Sequence, residues 1–258
     1  MPALNEKPVR LLMKDMAADM RLKHGDVFTR EQAVAWFRVH YPNVKEGTVA
    51  AHLIRLSTNA PARLHYNAKA DGSEDTFYKI DGSRFRLYEA GKDSAPIVEG
   101  SSQQVQIAKE GSEADEGSEF AYEHDLRDYL ARNLGLIEHG LTLYSDEGIS
   151  GVEFPAGSRF IDILALDKDK NYVVIELKVS RGYDRTVGQL LRYMGWIEQH
   201  HAEPGRSVRG VIVAKEISED LKLACRRLSG IGLFEYDLSV TLRAAGITGL
   251  VPEPHMPR

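Results

Sequence analysis

Residues 158–200 read SRFIDILALDKDKNYVVIELKVSRGYDRTVGQLLRYMGWIEQH. An apolar run at 160–166 is interrupted by one carboxylate, Asp162, and a second run at 172–179 carries Glu176 and Lys178. The polar turn between them predicts a β-hairpin of buried strands. Alternation along a strand puts Glu176 and Lys178, two apart, on the same face. A carboxylate inside so apolar a strand requires a partner, because an unpaired buried charge is very costly. A hard divalent cation such as Mg2+, which favours oxygen ligands, would serve Asp162 and Glu176 together, with Mn2+ as the expected substitute. An ammonium beside that cation can orient or deprotonate an attacking water, and phosphodiester hydrolysis uses such machinery.

The order Asp162, then Glu176-Leu177-Lys178, then a helix beginning near residue 184 resembles the PD-(D/E)xK nuclease core. Gln189-Leu190-Leu191-Arg192-Tyr193 is similar to the QxxxY motif of its RecB-like members. More narrowly, IDILALDKDKNYVVIELK followed by TVGQLLRYMGWI resembles the C-terminal catalytic domain of the NucS (EndoMS) endonucleases. The likeness extends upstream to YEHDLRDYLARNLGLIEHGL, where Glu123 falls on the acidic position of the family's first helix, and it covers residues 120–242. It implies an α/β fold, a restriction-endonuclease-like mixed sheet flanked by helices. It also implies roles: Asp162, Glu176 and the main-chain carbonyl of Leu177 as Mg2+ ligands, and Lys178 as the group that positions water. Glu123 would bind a second metal or hold one of the waters, Gln189 and Tyr193 would support the site or the scissile strand, and Arg192 would contact phosphate. In a helix Gln189 and Tyr193 are i,i+4 neighbours on one face, so joint action is expected.

Composition narrows the class. At 258 residues the chain can form two modest domains, each with its own core. The single cysteine, Cys225, excludes an internal disulfide and suits a reducing cytosol. Its setting, LKLACRRL, reads as a small core residue in a helix. There is no apolar stretch of the ~20 residues needed to span a bilayer, and the charged start MPALNEKPVRLLMKDM lacks a signal-peptide core. A cytoplasmic protein with no membrane partner is expected. The net charge of -5 is unevenly spread: residues 1–92 hold 15 Lys+Arg and 11 Asp+Glu, 93–119 hold 1 and 7, and the remainder 17 and 20. The acidity is thus concentrated in the middle and does not exclude a DNA partner.

Apolar spacing predicts a helix over 9–24, closed by Gly25. A second helix is capped by Thr29 with Gln32 placed for a capping box, and stops at Pro42. A third runs from about 46–48 to 58. Its apolar stripe is Val49, Leu53 and Leu56, and a polar stripe holds His52, Arg55 and Asn59. Three strand-like runs follow, ARLHYN, DTFYKID and SRFRLYE, with Asp81-Gly82 as a hairpin signal. Three helices and a β-hairpin resemble a winged helix, a fold that commonly lays its third helix in the DNA major groove. On that reading His52, Arg55 and Asn59 would meet bases or phosphates, and Arg63, His65 and Lys69 near the wing would meet the backbone. Trp36 and Phe37 read as core.

Residues 93–119 are rich in Ser, Gly and Glu and read as a flexible acidic linker spanning roughly 25–30 Å. The expected organisation is therefore a winged-helix-like domain at 1–92, the linker at 93–119, the nuclease domain at 120–245 and a tail at 246–258. NucS endonucleases carry a β-rich N-terminal domain for dimerisation and single-strand recognition, so their specificity does not transfer to a winged helix. The expectation is a Mg2+-dependent endonuclease cutting duplex DNA, of restriction or defence type. Two alternatives stand beside it: a mismatch- or structure-specific repair nuclease, and a winged-helix regulator with an idle nuclease core. Double-strand cutting needs two active sites, which a homodimer would supply.

Overall fold

The computed structural model describes residues 7–98, 116–178 and 183–237. Most of the expected linker and the whole expected tail lie outside the described residues.

The N-terminal part begins with helix α1 (Val9–Asp19). It ends earlier than its apolar periodicity suggests because Arg21, at φ 52°, turns left-handed and closes the helix before Gly25. A short strand, β1 (Val27–Thr29), leads into α2 (Arg30–His40). The capping box is present: Gln32 N–H donates to the Thr29 hydroxyl, and Thr29 N–H donates to the Gln32 side-chain oxygen at 2.8 Å. Helix α3 (Glu46–Arg55) follows. The run ARLHYN, expected as a strand, is instead a 3-10 segment, Pro61–Tyr66, with proline in its first turn. That turn buries Ala62, Arg63 and Tyr66 completely or nearly so. The third strand position is taken by β1, which pairs with β3 (Arg84–Leu87), itself paired with β2 (Phe77–Lys79). Residues 93–97 stay with this part, since Asp93 is ion-paired to Arg86 and Ile97 N–H donates to Thr58 O.

The C-terminal part starts with α4 (Glu116–Arg132). The segment GLTLYSDEGISGVEF and the two residues after it form four short strands: β4 (Thr142–Leu143), β5 (Ser145–Asp146), β6 (Ile149–Ser150) and β7 (Val152–Ala156). The hairpin expected from the opening stretch is β8 (Arg159–Leu166) and β9 (Tyr172–Lys178). Its turn is held by Asp167, whose carboxylate accepts from Asp169 N–H and Asn171 N–H. Helix α5 (Tyr183–His200), strand β10 (Val208–Ala214), helix α6 (Glu219–Cys225) and strand β11 (Ile231–Glu235) complete it. The sheet runs β11-β10-β9-β8-β4, with β7 also on β8. β9, β10 and β11 are parallel, whereas β8 is antiparallel to β9, β4 and β7. Helices cover both faces, the α/β architecture expected from the sequence.

One sheet face packs Ile163, Ala165, Val173, Ile175 and Leu177 against Leu126 and Leu130 of α4. The other face, with Leu164, Tyr172 and Val174, packs against Leu190, Tyr193 and Ile197 of α5. It belongs to one continuous core that also takes in Leu12, Phe28, Phe37, Leu53, Phe77 and Phe85 of the N-terminal part. The two parts therefore share a hydrophobic core. Helix α3 lies in the seam, packed on β6, β7 and α5.

Candidate active site

The β8–β9 ladder runs only from Leu166↔Tyr172 to Ile163↔Ile175. Beyond that point β8 continues against β7 alone, pairing Ile161, Phe160 and Arg159 with Phe154, Pro155 and Ala156. Meanwhile β9 continues against β10 alone, pairing Glu176 with Ile212 and Lys178 with Ala214. The two strands fork at Asp162 and Glu176. In place of the missing ladder bond, the Asp162 carboxylate accepts from Leu177 N–H at 2.8 Å. This contact ties the two arms of the fork and fixes the direction of the Asp162 carboxylate. Glu176 is 5% exposed, and Lys178 is half-buried at the last position of β9. Both share the face of Val174, the face covered by α5.

Helix α5 brings its own pair to that face. Gln189 donates its side-chain amide to the Tyr193 hydroxyl at 3.1 Å. Tyr193 is 2% exposed. Burial, reinforced by the Glu176 carboxylate and more weakly by Asp162, pushes its phenol up to about 12 against the opposing effects of Gln189 and Arg192. The ring therefore lies within electrostatic reach of both carboxylates and stays neutral. Arg192 is exposed and stacks its guanidinium 4.9 Å from the Tyr193 ring centroid. The structure thus gathers Asp162, Glu176, Lys178, Gln189 and Tyr193 around one fork.

The fork supplies carboxylates and a main-chain segment, an all-oxygen donor set that suits Mg2+ or Mn2+ rather than a soft metal. Among the described residues no group of three or more His, Cys, Asp or Glu is placed to hold a metal ion. Glu123 is half-buried on α4, the helix whose Leu126 and Leu130 pack on the sheet. Residues that fit the cation are Asp162 and Glu176.

The residues expected to touch DNA fare differently. His52 and Arg63 are fully buried, and Arg55 is 6% exposed. Arg55 makes a two-pronged contact with Glu74 at 3.0 and 3.1 Å and donates to the Glu147 carbonyl across the seam. Arg63 is paired with Asp75 at 2.7 Å. Asn59 exchanges hydrogen bonds with the backbone of Lys79. His65 is half-buried 3.4 Å from Arg127 and 3.7 Å from Glu153. Of these N-terminal residues only Lys69 has an exposed side chain, as does Arg192 on α5. The polar stripe of α3 is an interior seam, where Glu74 of the N-terminal part and the Glu147 carbonyl at the β5–β6 turn take up Arg55.

The seam also reveals residues that periodicity gave no reason to single out. Arg127 of α4, 5% exposed, is ion-paired to Glu153. Glu153, at φ 48°, interrupts β7 between Val152↔Ile163 and Phe154↔Ile161, alongside Asp162, and its carbonyl accepts from the Tyr66 hydroxyl. Only the left-handed backbone at a non-glycine residue marks the position, and a sequence does not display that.

A mixed sheet forked at two carboxylates and a lysine defines a nuclease-type α/β domain. Residues 122–229 match the family model described as Endonuclease NucS C-terminal domain, and residues 8–87 match Domain of unknown function (DUF7669). The C-terminal part of this chain is a NucS-like nuclease domain. Endonuclease NucS of Pyrococcus abyssi is 28% identical over 232 residues, 85% of this chain and 84% of that protein. Endonuclease NucS of Methanopyrus kandleri is 30% identical over 124 residues, 47% of this chain and 43% of that protein. Among solved structures, a repair endonuclease from Pyrococcus abyssi overlays with a TM-score of 0.37 at 22% identity, covering 60% of this chain and 52% of the other. An EndoMS–double-stranded DNA complex gives 0.37 at 23%, covering 62% and 53%. This chain thus spans about half the length of those solved structures. No helix among the described residues is long and apolar enough to cross a membrane.

Proposed function

We propose that the protein is a Mg2+-dependent endonuclease that hydrolyses a backbone phosphodiester of duplex DNA, leaving 5′-phosphate and 3′-hydroxyl ends. The observation that carries this reading is the fork, where the Asp162 carboxylate is fixed on Leu177 N–H at 2.8 Å beside Glu176 and Lys178. The divalent cation would supply electrostatic stabilisation of the phosphate and a more acidic water. Asp162 and Glu176 would hold it. Lys178 would orient the attacking water and offset negative charge developing on the phosphoryl oxygens. Tyr193, kept neutral by burial and by the two carboxylates, is a hydrogen-bond donor at neutral pH, and Gln189 fixes its hydroxyl.

The preference for restriction or defence rested on a winged helix reading DNA through α3. That helix is buried, and the relatives reported above are named as NucS endonucleases rather than restriction enzymes. The favoured substrate within the proposal is therefore a mismatched or structurally irregular duplex. An assay with plasmid and short duplexes (perfect, mismatched, branched, methylated), with Mg2+ or Mn2+ against EDTA, tests this. Wild type should cut only with metal and prefer irregular duplexes, and Asp162→Ala and Lys178→Ala should bind without cutting. Metal-dependent cutting by purified Asp162→Ala would falsify the assigned site, and equal cutting of perfect duplexes would return the choice to restriction.

A further inference from the structure

The turn between β7 and β8 meets the β2–β3 turn of the N-terminal part. Gly82, at the β2–β3 turn, faces Ser158, and a methyl group built there would be in van der Waals contact with the Ser158 Cβ at 3.7 Å. Between the two turns is a narrow cleft lined by Arg30, Lys79, Gly82, Gly157, Ser158 and Phe160 among others, none of them acidic. Phe160 is two positions before Asp162 on β8, so the cleft opens beside the fork.

Two cations occupy it with no carboxylate in ion-pair contact, although Glu31 and Glu46 act on Arg30 from further off and Asp81 on Lys79. Lys79 places its ammonium 5.4 Å from the Phe160 ring centroid. Arg30, 9% exposed, donates to the Gly82 carbonyl. Among the described residues neither makes an ion pair, although neighbouring cations do: Arg84 is bound to Asp81, and Arg86 to Asp93. Burial, and then the charge of Arg30, lowers the Lys79 ammonium from its ordinary value, with Asp81 opposing. Two like charges held close and partly stripped of water are stabilised by an external anion. The cleft, of about 10 Å3, has room for roughly one oxygen atom rather than a whole anion. A group that presents single oxygens along a repeating chain fits that description.

We propose that Arg30 and Lys79 form a phosphate subsite that grips the DNA backbone next to the scissile phosphate, with one non-bridging oxygen seated in the mouth of the cleft. This rests on the endonuclease reading and gives the N-terminal part a DNA contact through its β2–β3 turn in place of α3. The contact is sequence-independent, since phosphate contacts position a duplex without reading its bases.

Binding of a fluorescein-labelled perfect duplex in EDTA, followed by anisotropy across a sodium chloride series, tests the subsite without any cleavage. Lys79→Gln should weaken binding several-fold and equally for unrelated sequences. It should also reduce the slope of log K against log salt by about one phosphate contact, ~0.9. Lys79→Arg should restore both, which separates lost charge from misfolding, and Arg30→Lys should weaken binding with the melting temperature as its folding control. Lys222→Gln, on α6, should leave affinity and slope unchanged. Wild-type binding with an unaltered slope in Lys79→Gln, or an equal loss in Lys222→Gln, overturns the subsite alone. No binding by wild type overturns the subsite and the endonuclease reading together.

Discussion

Tyr193 shows how one side chain joins two elements into a site. Its ring is packed in the core shared by α5 and the sheet, whereas its hydroxyl accepts from Gln189 within reach of Glu176 and Asp162. Tyr193→Phe removes only that hydroxyl. The stability cost should be about 1 kcal/mol, the net value of one hydrogen bond. Turnover should fall by a larger factor than the apparent affinity for DNA, if the phenol acts on the scissile strand rather than on the fold. Steady-state cleavage beside a thermal melt checks both; an unchanged turnover makes Tyr193 a core aromatic and no more. Asp162, Glu176 and Lys178 were legible in the sequence because a charge in an apolar strand contradicts its surroundings locally. Arg127 and Glu153 were not, since their pairing brings α4 to β7 and no local pattern links the two.

At the scale of elements, α3 is the instructive one. Gly47, in its first turn, faces His201 just past the end of α5, and a methyl group built there would lie 2.4 Å from His201 Nδ1. His201 cannot yield easily, because Tyr144, Phe154 and Tyr172 enclose its ring at centroid distances of 5.1, 4.9 and 5.5 Å. Gly47→Ala should therefore destabilise the protein by about 1–3 kcal/mol through overpacking. A urea titration would register this as a lower midpoint, and an unchanged midpoint would mean that α3 and α5 are not in tight contact. The boundaries of β8 and β9 and the Thr29 cap followed from the sequence, because alternation, turn residues and capping pairs act over a few positions. The run ARLHYN, expected as a strand, falls instead on the 3-10 segment Pro61–Tyr66. Its apolar residues fit either period, and the docking of Tyr66 on Glu153 favours the tight turn.

At the scale of the molecule, the seam is a buried polar layer inside a continuous core. His52 faces Glu147, Arg55 and Arg10, while His201 faces Lys45, Glu203 and the two tyrosines. Burial, helped by the nearby cations, lowers each imidazole to about 3. Neither ring nitrogen of either histidine has a hydrogen-bond partner among the described residues. Unfolding returns both to about 6.5, so the unfolded chain binds more protons between those values. Their contribution to stability is present above about pH 6.5. It is lost as pH falls toward 3, at about 1.4 kcal/mol per pH unit for each histidine that titrates. Urea unfolding between pH 7 and 4.5 should show this slope, and His52→Gln or His201→Phe should flatten it. A slope unchanged in both variants would assign the acid sensitivity to the carboxylates.

The same scale decides what the N-terminal part does. By itself the sequence determined the β8–β9 hairpin, the helix that follows it, and the placement of Asp162, Glu176 and Lys178 on the two strands. Those signals are periodicities and charge placements contained within short stretches of chain. Only the tertiary structure decided that His52, Arg55 and Arg63 are interior. A polar stripe on a helix has the same spacing whether it meets water, DNA or a second polar surface. For α3 that surface includes Asp146 and Glu147, about ninety residues further along the chain, and only the folded contact reveals them.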